Sequence, residues 1–400
     1  MTLRRTFLGL LAISLTGAAL GADTPQQAAT TLTWKNGPRL GGEHFPLAVW
    51  LQAPRNAPRY QALGINLYVG LWEGPTETQL ADLRKCRMPV ICDQNAYALA
   101  HLDEKSIVGW LQEDEPDNAQ PLPGNKGYGP PVLPAKTVEI YRRLQRNDPS
   151  RPVLLNLGQA VAWDGWYGRG VRSNHPQDYP EYVRGCDIAS FDIYPAVHDK
   201  PAVAGKLWYV ARGVERLRQW TPADKTVWSC IECTRIGNVD RKPTPAEVRA
   251  EVWMSIIHGS RGLVYFCHQF QPKFIEAGLL ADEEMSRAVG QINKQIGQLA
   301  GAINSSQAVA VDVQCSAAAS PELEKAGLKP LAAIARRHES KLYIFAVRME
   351  GTPAEATFTL PAAGGGTVEV LGEGRTLPVR GGKFRDKFDG YGVHLYGLSE

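Results

Sequence analysis

The sequence has no apolar run long enough to cross a membrane as a helix, which takes about 20 residues. It also has little net charge. The formal value is +3, and it falls to +1 when the first 22 residues are left out. A nearly neutral chain has no overall attraction to phosphate backbones or anionic lipid, so we expect no nucleic-acid partner. No repeat of 20–50 residues is present, which excludes solenoid folds.

Cysteine is scarce and odd in number, with seven residues in 400. At least one thiol is therefore outside any intrachain disulfide, and the sequence does not determine the pairing of the others. Several cysteines stand in apolar runs, where we expect small buried hydrophobes. Cys230 and Cys233 have C-x-x-C spacing, but a single such pair does not make a zinc site. We expect no metal and no cofactor.

The N-terminus has the pattern of a signal peptide. Arg4 and Arg5 precede a short apolar stretch, Phe7–Leu20, and small residues follow it. The stretch is too short to span a membrane, so the sequence predicts that residues 1–22 are removed and that the protein is exported. The two arginines also resemble a twin-arginine signal, although Leu3 and Gly9 depart from the usual flanks. The route, Sec or twin-arginine, stays open.

The middle of the chain alternates short apolar runs with amphipathic ones. Runs that are apolar nearly throughout are typical of strands covered on both faces, and eight of them in alternation with helical patterns predict a parallel (β/α)₈ barrel over residues 23–304. The predicted strands are Phe45–Leu51, Ile65–Leu71, Pro89–Asp93, Ile107–Gln112, Val153–Leu157, Asp187–Tyr194, Thr226–Glu232 and Gly262–His268.

Helices are predicted between these strands. The start of one is marked by Thr244-Pro245-Ala246-Glu247, which has an N-cap residue, a proline at the first helical position and a capping-box acid. Two connections, Pro121–Pro134 and Asp164–Pro180, are long and rich in Pro, Gly and Asn. Long loops at the C-terminal face of a barrel usually shape the active site. The other predicted helices are Ala57–Leu63, Glu77–Cys86, Ala135–Arg146, Ala204–Gln219 and Asp282–Ala302.

The pattern changes after residue 304. Short strands between Gly- and Pro-rich turns predict a small antiparallel β-sandwich over residues 305–400. The predicted strands are Val309–Val313, Leu331–Ala335, Leu342–Val347, Ala356–Leu360, Gly366–Leu371 and Gly392–Tyr396.

Carboxylates stand at the ends of two predicted barrel strands. Glu232 closes the seventh strand, and Glu115 follows the fourth. A carboxylate at the end of an apolar strand is costly to bury unless the site uses it. Glycosidic bond cleavage needs two carboxyl groups, one to protonate the leaving oxygen and one to attack the sugar or activate water. Strands four and seven face each other across a barrel mouth, so we expect Glu115 and Glu232 to lie about 5–5.5 Å apart there.

Asp114-Glu115-Pro116 and Glu232 resemble the catalytic motifs of the glycoside hydrolases of clan A. Those enzymes place an acid/base Glu after strand four, usually in Asn-Glu-Pro, and a nucleophile Glu after strand seven. The resemblance covers residues 44 to about 270 and implies a retaining double displacement, with Glu115 as acid/base and Glu232 as nucleophile. Asp114 replaces the usual Asn, which binds a sugar hydroxyl in the clan. The resemblance does not identify a family within the clan.

The same acidic stretch has other interpretations. Asp114 is able to raise the pKa of Glu115 by like-charge repulsion, which suits a general acid. Alternatively, Asp114 or Glu113 is itself the acid. The cluster of Glu113, Asp114, Glu115 and Asp117 also suits a metal-dependent hydrolase, although no pair of histidines accompanies it. A third function is a carbohydrate-binding barrel without catalysis.

Substrate contacts are predicted from side chains at the other strand ends. The resemblance implies that Tyr194 bonds the nucleophile, while a structural role at the rim is equally open. Aromatic rings at the rim stack on the flat C–H faces of sugars. The predicted substrate-binding residues are Asp114, Tyr194, Trp50, Trp72, Asn156, Trp163, Trp166, His268 and Gln269. The expected partner is a carbohydrate; its sugar, its linkage and the oligomeric state of the protein are not determined by the sequence.

Overall fold

The computed structural model of the protein describes residues 33–124, 126–360 and 365–399. The predicted signal peptide, residues 1–22, lies outside these residues, so export and its route stay predictions. Within the described residues, no helix has both the length and the apolar character needed to cross a bilayer. All seven cysteines are described, and each is a free thiol.

Within the described residues, the first part of the chain forms a closed parallel barrel of eight strands, as predicted. Each of the eight pairs with the next in sequence, and the eighth pairs back with the first. The seventh barrel strand is interrupted at Trp228, so it is labelled as two strands, β7 and β8. The strands are β1 (Leu47–Trp50), β2 (Leu67–Val69), β3 (Val90–Cys92), β4 (Ile107–Leu111), β5 (Val153–Leu157), β6 (Ile188–Phe191), β7 (Thr226–Val227), β8 (Ser229–Glu232) and β9 (Leu263–Phe266).

Alternation along each strand divides the barrel residues between two cores. In β1, Ala48 and Trp50 point into the barrel, and Val49 packs outward against the helices. Both sets are buried, which explains why these strands are apolar throughout. The helices are α1 (Ala57–Ala62), α2 (Glu77–Lys85), α3 (Ala96–Ala100), α4 (Pro134–Asn147), α5 (Tyr179–Tyr182), α6 (Trp208–Trp220), α7 (Pro245–Ile257), α8 (Gly278–Ala281) and α9 (Glu283–Asn304).

The predicted start of α7 is confirmed in detail. Thr244 accepts from the backbone N–H of Glu247, and the Glu247 side chain accepts in return from the backbone of Thr244. This capping box satisfies two of the N–H groups that a helix leaves unpaired at its first turn.

After Asn304 the chain turns to antiparallel strands, as predicted. Within the described residues of this region, nine strands form one continuous sheet that curls around a second apolar core. Two strands were missed, Arg375–Arg380 and Lys383–Phe388, because Pro378 interrupts the first and only Phe384 and Phe388 are apolar in the second. The elements are β10 (Ala308–Val309), β11 (Asp312–Cys315), α10 (Pro321–Lys325), β12 (Leu331–His338), β13 (Lys341–Arg348), β14 (Ala354–Thr359), β15 (Gly365–Val370), β16 (Arg375–Arg380), β17 (Lys383–Phe388) and β18 (Val393–Ser399).

The C-terminal sheet packs on the outer face of α7. The ring centroids of Trp253 and Phe345 lie 5.3 Å apart, and Arg249 donates to the carbonyl of Val393 at 2.7 Å. The apolar residues at this contact belong to the same cluster as the outer core of the barrel. The exact division at residues 304 and 305 stays a prediction.

Candidate active site

The turn after β4 holds Glu115 in an uncommon backbone conformation. Its φ is +43°, in the left-handed region that costs a residue other than glycine on the order of 1–3 kcal/mol. Its backbone N–H donates to the carbonyl of Asn156 at 3.0 Å, and its carbonyl accepts from the N–H of Asn118 at 3.0 Å. These bonds to the turn and to β5 fix the strained backbone, a combination that is common at active sites.

The carboxyl of Glu115 lies within hydrogen-bonding reach of the carboxyl of Asp192, which follows β6. Burial, and after it the neighbouring Asp192, raises the pKa of Glu115 well above its ordinary value. Burial also raises the pKa of Asp192. Two carboxyl groups bond to each other only when one of them carries a proton. Burial and the neighbouring carboxyl therefore favour the protonated form of Glu115.

Two side chains connect Glu115 with an aromatic group. Asn118 Nδ2 donates to Glu115 Oε2 at 2.8 Å, and Trp166 Nε1 donates to Asn118 Oδ1 at 2.8 Å. Trp163 lies next to Trp166, with ring centroids 5.9 Å apart, and meets His198 edge to face at 5.6 Å. Trp163 and Trp166 are two of the four tryptophans predicted to contact substrate. They therefore lie on the side of Glu115 that faces the loops after β5 and β6.

Gly158 leaves the space that these two side chains occupy. A Cβ at this position would lie 2.9 Å from Asn118 Nδ2 and 3.0 Å from Glu115 Oε1. We expect Gly158→Ala to displace the Glu115 carboxyl and to lower kcat/KM by about 10- to 100-fold, since a displacement of about 1 Å costs up to about 100-fold. Steady-state kinetics on the best substrate would measure this effect.

Gly297→Ala is the matched control for this substitution. Gly297 lies in α9, and a Cβ there would meet no atom within 4 Å. We expect it to leave kcat/KM unchanged and to raise stability slightly. Unchanged kinetics for Gly158→Ala in a folded protein would contradict the placement of Glu115 in the reacting site.

Asp114 and Asp117 have different surroundings, although both belong to the predicted acidic cluster. Asp114 is exposed, and its Oδ1 accepts from Asn156 Nδ2 at 3.0 Å. Asp117 is fully buried and accepts from the backbone N–H of Gly158 at 2.9 Å and from the hydroxyl of Tyr179 at 2.7 Å. Asp117 therefore supports the loops. In the described part of the chain, no three or more His, Cys, Asp or Glu side chains are arranged to hold a metal ion.

Glu232 has partners other than Glu115. It has no exposed surface, and its two oxygens accept from the backbone N–H groups of Ala196 at 2.6 Å and Val197 at 3.0 Å. Its carboxyl also pairs with that of Glu251 on α7. The two predicted catalytic acids have different acidic neighbours, Asp192 for Glu115 and Glu251 for Glu232. The nucleophilic role of Glu232 stays a prediction, and the contacts add Asp192 as a second candidate.

The pair of Glu232 and Glu251 gives stability a pH dependence. Burial raises the pKa of both carboxyls above the ordinary value near 4.5. A raised folded pKa gives stability that is complete below the unfolded pKa and is lost as the pH rises through the folded pKa. We expect Glu251→Gln, which stays neutral and donates to Glu232, to reduce the fall in Tm between pH 5 and pH 8 by a few degrees.

Thermal scans of the two proteins at one fixed scan rate would measure the difference. Glu283→Gln is the control, since it makes the same substitution at a residue that is exposed at the first turn of α9. A fall in Tm that is the same in Glu251→Gln and in the unchanged protein would show that the buried pair does not titrate in this range.

Four predicted residues, Trp50, Trp72, Asp114 and His268, line one cavity of about 840 Å³. Gln269 does not line it: its backbone pairs with Ile275, and its amide donates to the carbonyl of Lys273 at 3.3 Å. Most of the predicted substrate-binding residues thus fall into two groups. One group lines this cavity, and the other, Trp163 and Trp166, is connected with Glu115 through Asn118. Gln269 belongs to neither group.

Asn156 and Tyr194 lie inside the barrel mouth, close to the carboxyl pair. Asn156 connects three strand ends, because it donates to Asp114 and accepts from the hydroxyl of Ser190 at 2.8 Å. Tyr194 lies near Asp192, which affects the pKa of its hydroxyl, and its ring lies 5.3 Å from that of Phe266. The predicted contact of Tyr194 with the nucleophile stays a prediction.

Asp192 is the site residue that the sequence analysis missed. The signal was present, because Asp192 interrupts the apolar run that ends β6 in the same way that Glu232 ends β8. Asn118 was also missed, and its contact with Glu115 depends on the shape of a turn that sequence patterns do not give.

Comparison with known proteins gives the class of fold. No family model matches the chain, and no curated protein sequence matches it. Among solved structures, the α-amylase of Geobacillus thermoleovorans, solved with acarbose, has a TM-score of 0.50 and 9% identity, over 92% of this chain and 99% of that one. A GH30 endoxylanase from Clostridium papyrosolvens has a TM-score of 0.48 and 11% identity, over 92% and 98%.

The structural similarity to the α-amylase shows the fold. The protein is a (β/α)₈ barrel followed by an antiparallel β-domain, in the arrangement that the amylase also has. The resemblance to barrel glycoside hydrolases is confirmed at the level of the fold, and the activity has to be argued from the site itself.

Proposed function

We propose that this protein is a glycoside hydrolase whose reacting groups lie at the C-terminal mouth of the barrel. The observation that carries the proposal is that the carboxyls of Glu115 and Asp192, which follow two different strands, are close enough to raise the pKa of Glu115. This face of a (β/α)₈ barrel is where such enzymes hold their catalytic residues. Aromatic side chains beside the pair are suited to the faces of sugar rings.

Glu115 has the properties of the general acid. Its raised pKa favours the protonated form, which is able to give a proton to the leaving glycosidic oxygen. Asn118 orients the carboxyl, and the fixed turn after β4 presents it to the mouth. After the leaving group departs, the same group takes a proton from the incoming water.

The second carboxyl has two candidates. Glu232, the nucleophile predicted from the sequence, has no exposed surface in this conformation. Asp192 lies beside the acid, and its contact with Tyr194 orients it. The contacts favour Asp192. A sugar that enters between Glu115 and Asp192 would separate them toward the roughly 5–5.5 Å of a retaining double displacement.

A panel of polysaccharides and simple glycosides, with products identified by mass spectrometry, tests the proposal. We expect hydrolysis of at least one glycosidic bond, and retention of anomeric configuration in the first product seen by NMR. Activity that a chelator abolishes would favour a metal-dependent hydrolase. Tight oligosaccharide binding with no product on long incubation would favour a carbohydrate-binding barrel.

A further inference from the structure

The cavity beside the carboxyl cluster is built largely from aromatic rings. Phe266, His268, Phe270 and Phe274 form a stacked group, with neighbouring centroids 5.2–6.2 Å apart. Phe270 is 47% exposed and Phe274 is 58% exposed, and across the cavity Trp72 is 73% exposed. Such a concentration of exposed apolar surface is costly in water and marks a place where a ligand binds.

The polar groups of this cavity are already bonded within the protein. Gln52 donates to the carbonyl of Glu276 at 3.1 Å and accepts from the hydroxyl of Tyr60. Gln79 donates to the carbonyl of Trp72 at 2.8 Å and accepts from the backbone N–H of Thr76 at 3.0 Å. A ligand rich in hydroxyls needs free donors and acceptors to replace its water, and these amides do not supply them.

Two of the acidic groups on the cavity wall are paired with cations. Arg55 and Glu276 form an ion pair at 3.3 Å, and Asp82 pairs with Lys85 at 2.6 Å. Asp114, the other acidic group of the wall, forms no ion pair within the described residues, so the wall disfavours an anionic ligand. Asp114 is the point where the cavity meets the reacting site, because Glu115 is the next residue along the chain.

We propose that this cavity binds an apolar leaving group, so that the preferred substrates are glycosides of an alkyl or aromatic alcohol. The inference depends on the proposed function and specifies its substrate class. In the reaction, the bond between the anomeric carbon and the glycosidic oxygen breaks. The oxygen takes a proton from Glu115 and leaves as the alcohol, and water supplies the hydroxyl that the sugar gains.

The test uses methyl, butyl and octyl glycosides of the one sugar that the substrate panel identifies. Alkyl alcohols of different length have similar acidity, so a change in rate between them reports binding and not leaving-group chemistry. We expect kcat/KM to rise at least 100-fold from methyl to octyl, because each buried methylene adds favourable transfer free energy. In Phe270→Ala and Phe274→Ala, this rise should shrink at least 10-fold, while Leu99→Ala, outside the cavity, should leave the rise unchanged.

A binding experiment that needs no catalysis separates this inference from the proposed function. 2-Naphthol should quench tryptophan fluorescence on binding beside Trp50 and Trp72, and the two Phe variants should weaken that binding at least 10-fold. Leu99→Ala is the control, since Leu99 is an exposed apolar residue on α3 outside the cavity. Naphthol binding without hydrolysis of any glycoside would contradict the proposed glycoside hydrolase function but would still support an apolar binding site. Equal rates on methyl and octyl glycosides would overturn the proposed leaving-group site but would still support glycoside hydrolysis.

Discussion

Replacement of Glu115 by glutamine is expected to lower kcat by about 10²- to 10⁴-fold, the range that a positioned general acid contributes. Glutamine keeps the size of the side chain and its contact with Asn118 but has no proton to give to the leaving oxygen. The loss should depend on the leaving group. A dinitrophenyl glycoside, which departs with little protonation, should lose much less rate than an alkyl glycoside.

The pH profile provides a second measurement for the same residue. Because burial and Asp192 raise the pKa of Glu115, the alkaline limb of kcat/KM should lie well above pH 4.5 and should disappear in the glutamine variant. Glu113→Gln is the matched control: Glu113 is an exposed residue of the same turn, and its replacement should leave the rate and the profile unchanged. An equal loss on both leaving groups would exclude Glu115 as the acid.

The identity of the nucleophile is the prediction with the second largest effect. We expect Asp192→Asn to lower kcat by about 10³-fold or more, as the loss of a catalytic nucleophile does, with little change in Tm. Glu232→Gln should act mainly on stability. Its amide nitrogen would face one of the two backbone N–H groups of Ala196 and Val197, and an unpaired buried donor costs about 1–3 kcal/mol.

A covalent trap distinguishes the two candidates directly. A 2-deoxy-2-fluoro glycoside of the preferred sugar should leave a stable glycosyl-enzyme, and peptide mass spectrometry then identifies the labelled residue. Label on the peptide that contains Asp192 is the expected result. Label on Glu232 would show instead that the loop at Ala196 and Val197 opens to expose it, and would restore the assignment made from the sequence.

The fold could be predicted because its signals are local and repeated. Eight apolar runs alternate with helical patterns, and all eight contain the strands that the structure has. Thr244 and Glu247 mark the start of α7 because a capping box needs only neighbouring residues. The strands at Arg375–Arg380 and Lys383–Phe388 were missed because each has only a few apolar residues, too few to form a run, and Pro378 interrupts the first.

The sequence by itself determined the barrel, the β-domain behind it and the presence of Glu115 at the end of β4. Only the tertiary structure gave the neighbours of each carboxyl. Strand number fixes where a side chain starts, but the loop after β6 supplies the backbone N–H groups that bind Glu232, and the same loop begins with Asp192, whose carboxyl raises the pKa of Glu115. The shape of a loop depends on contacts between distant segments, and no periodicity in the chain records them.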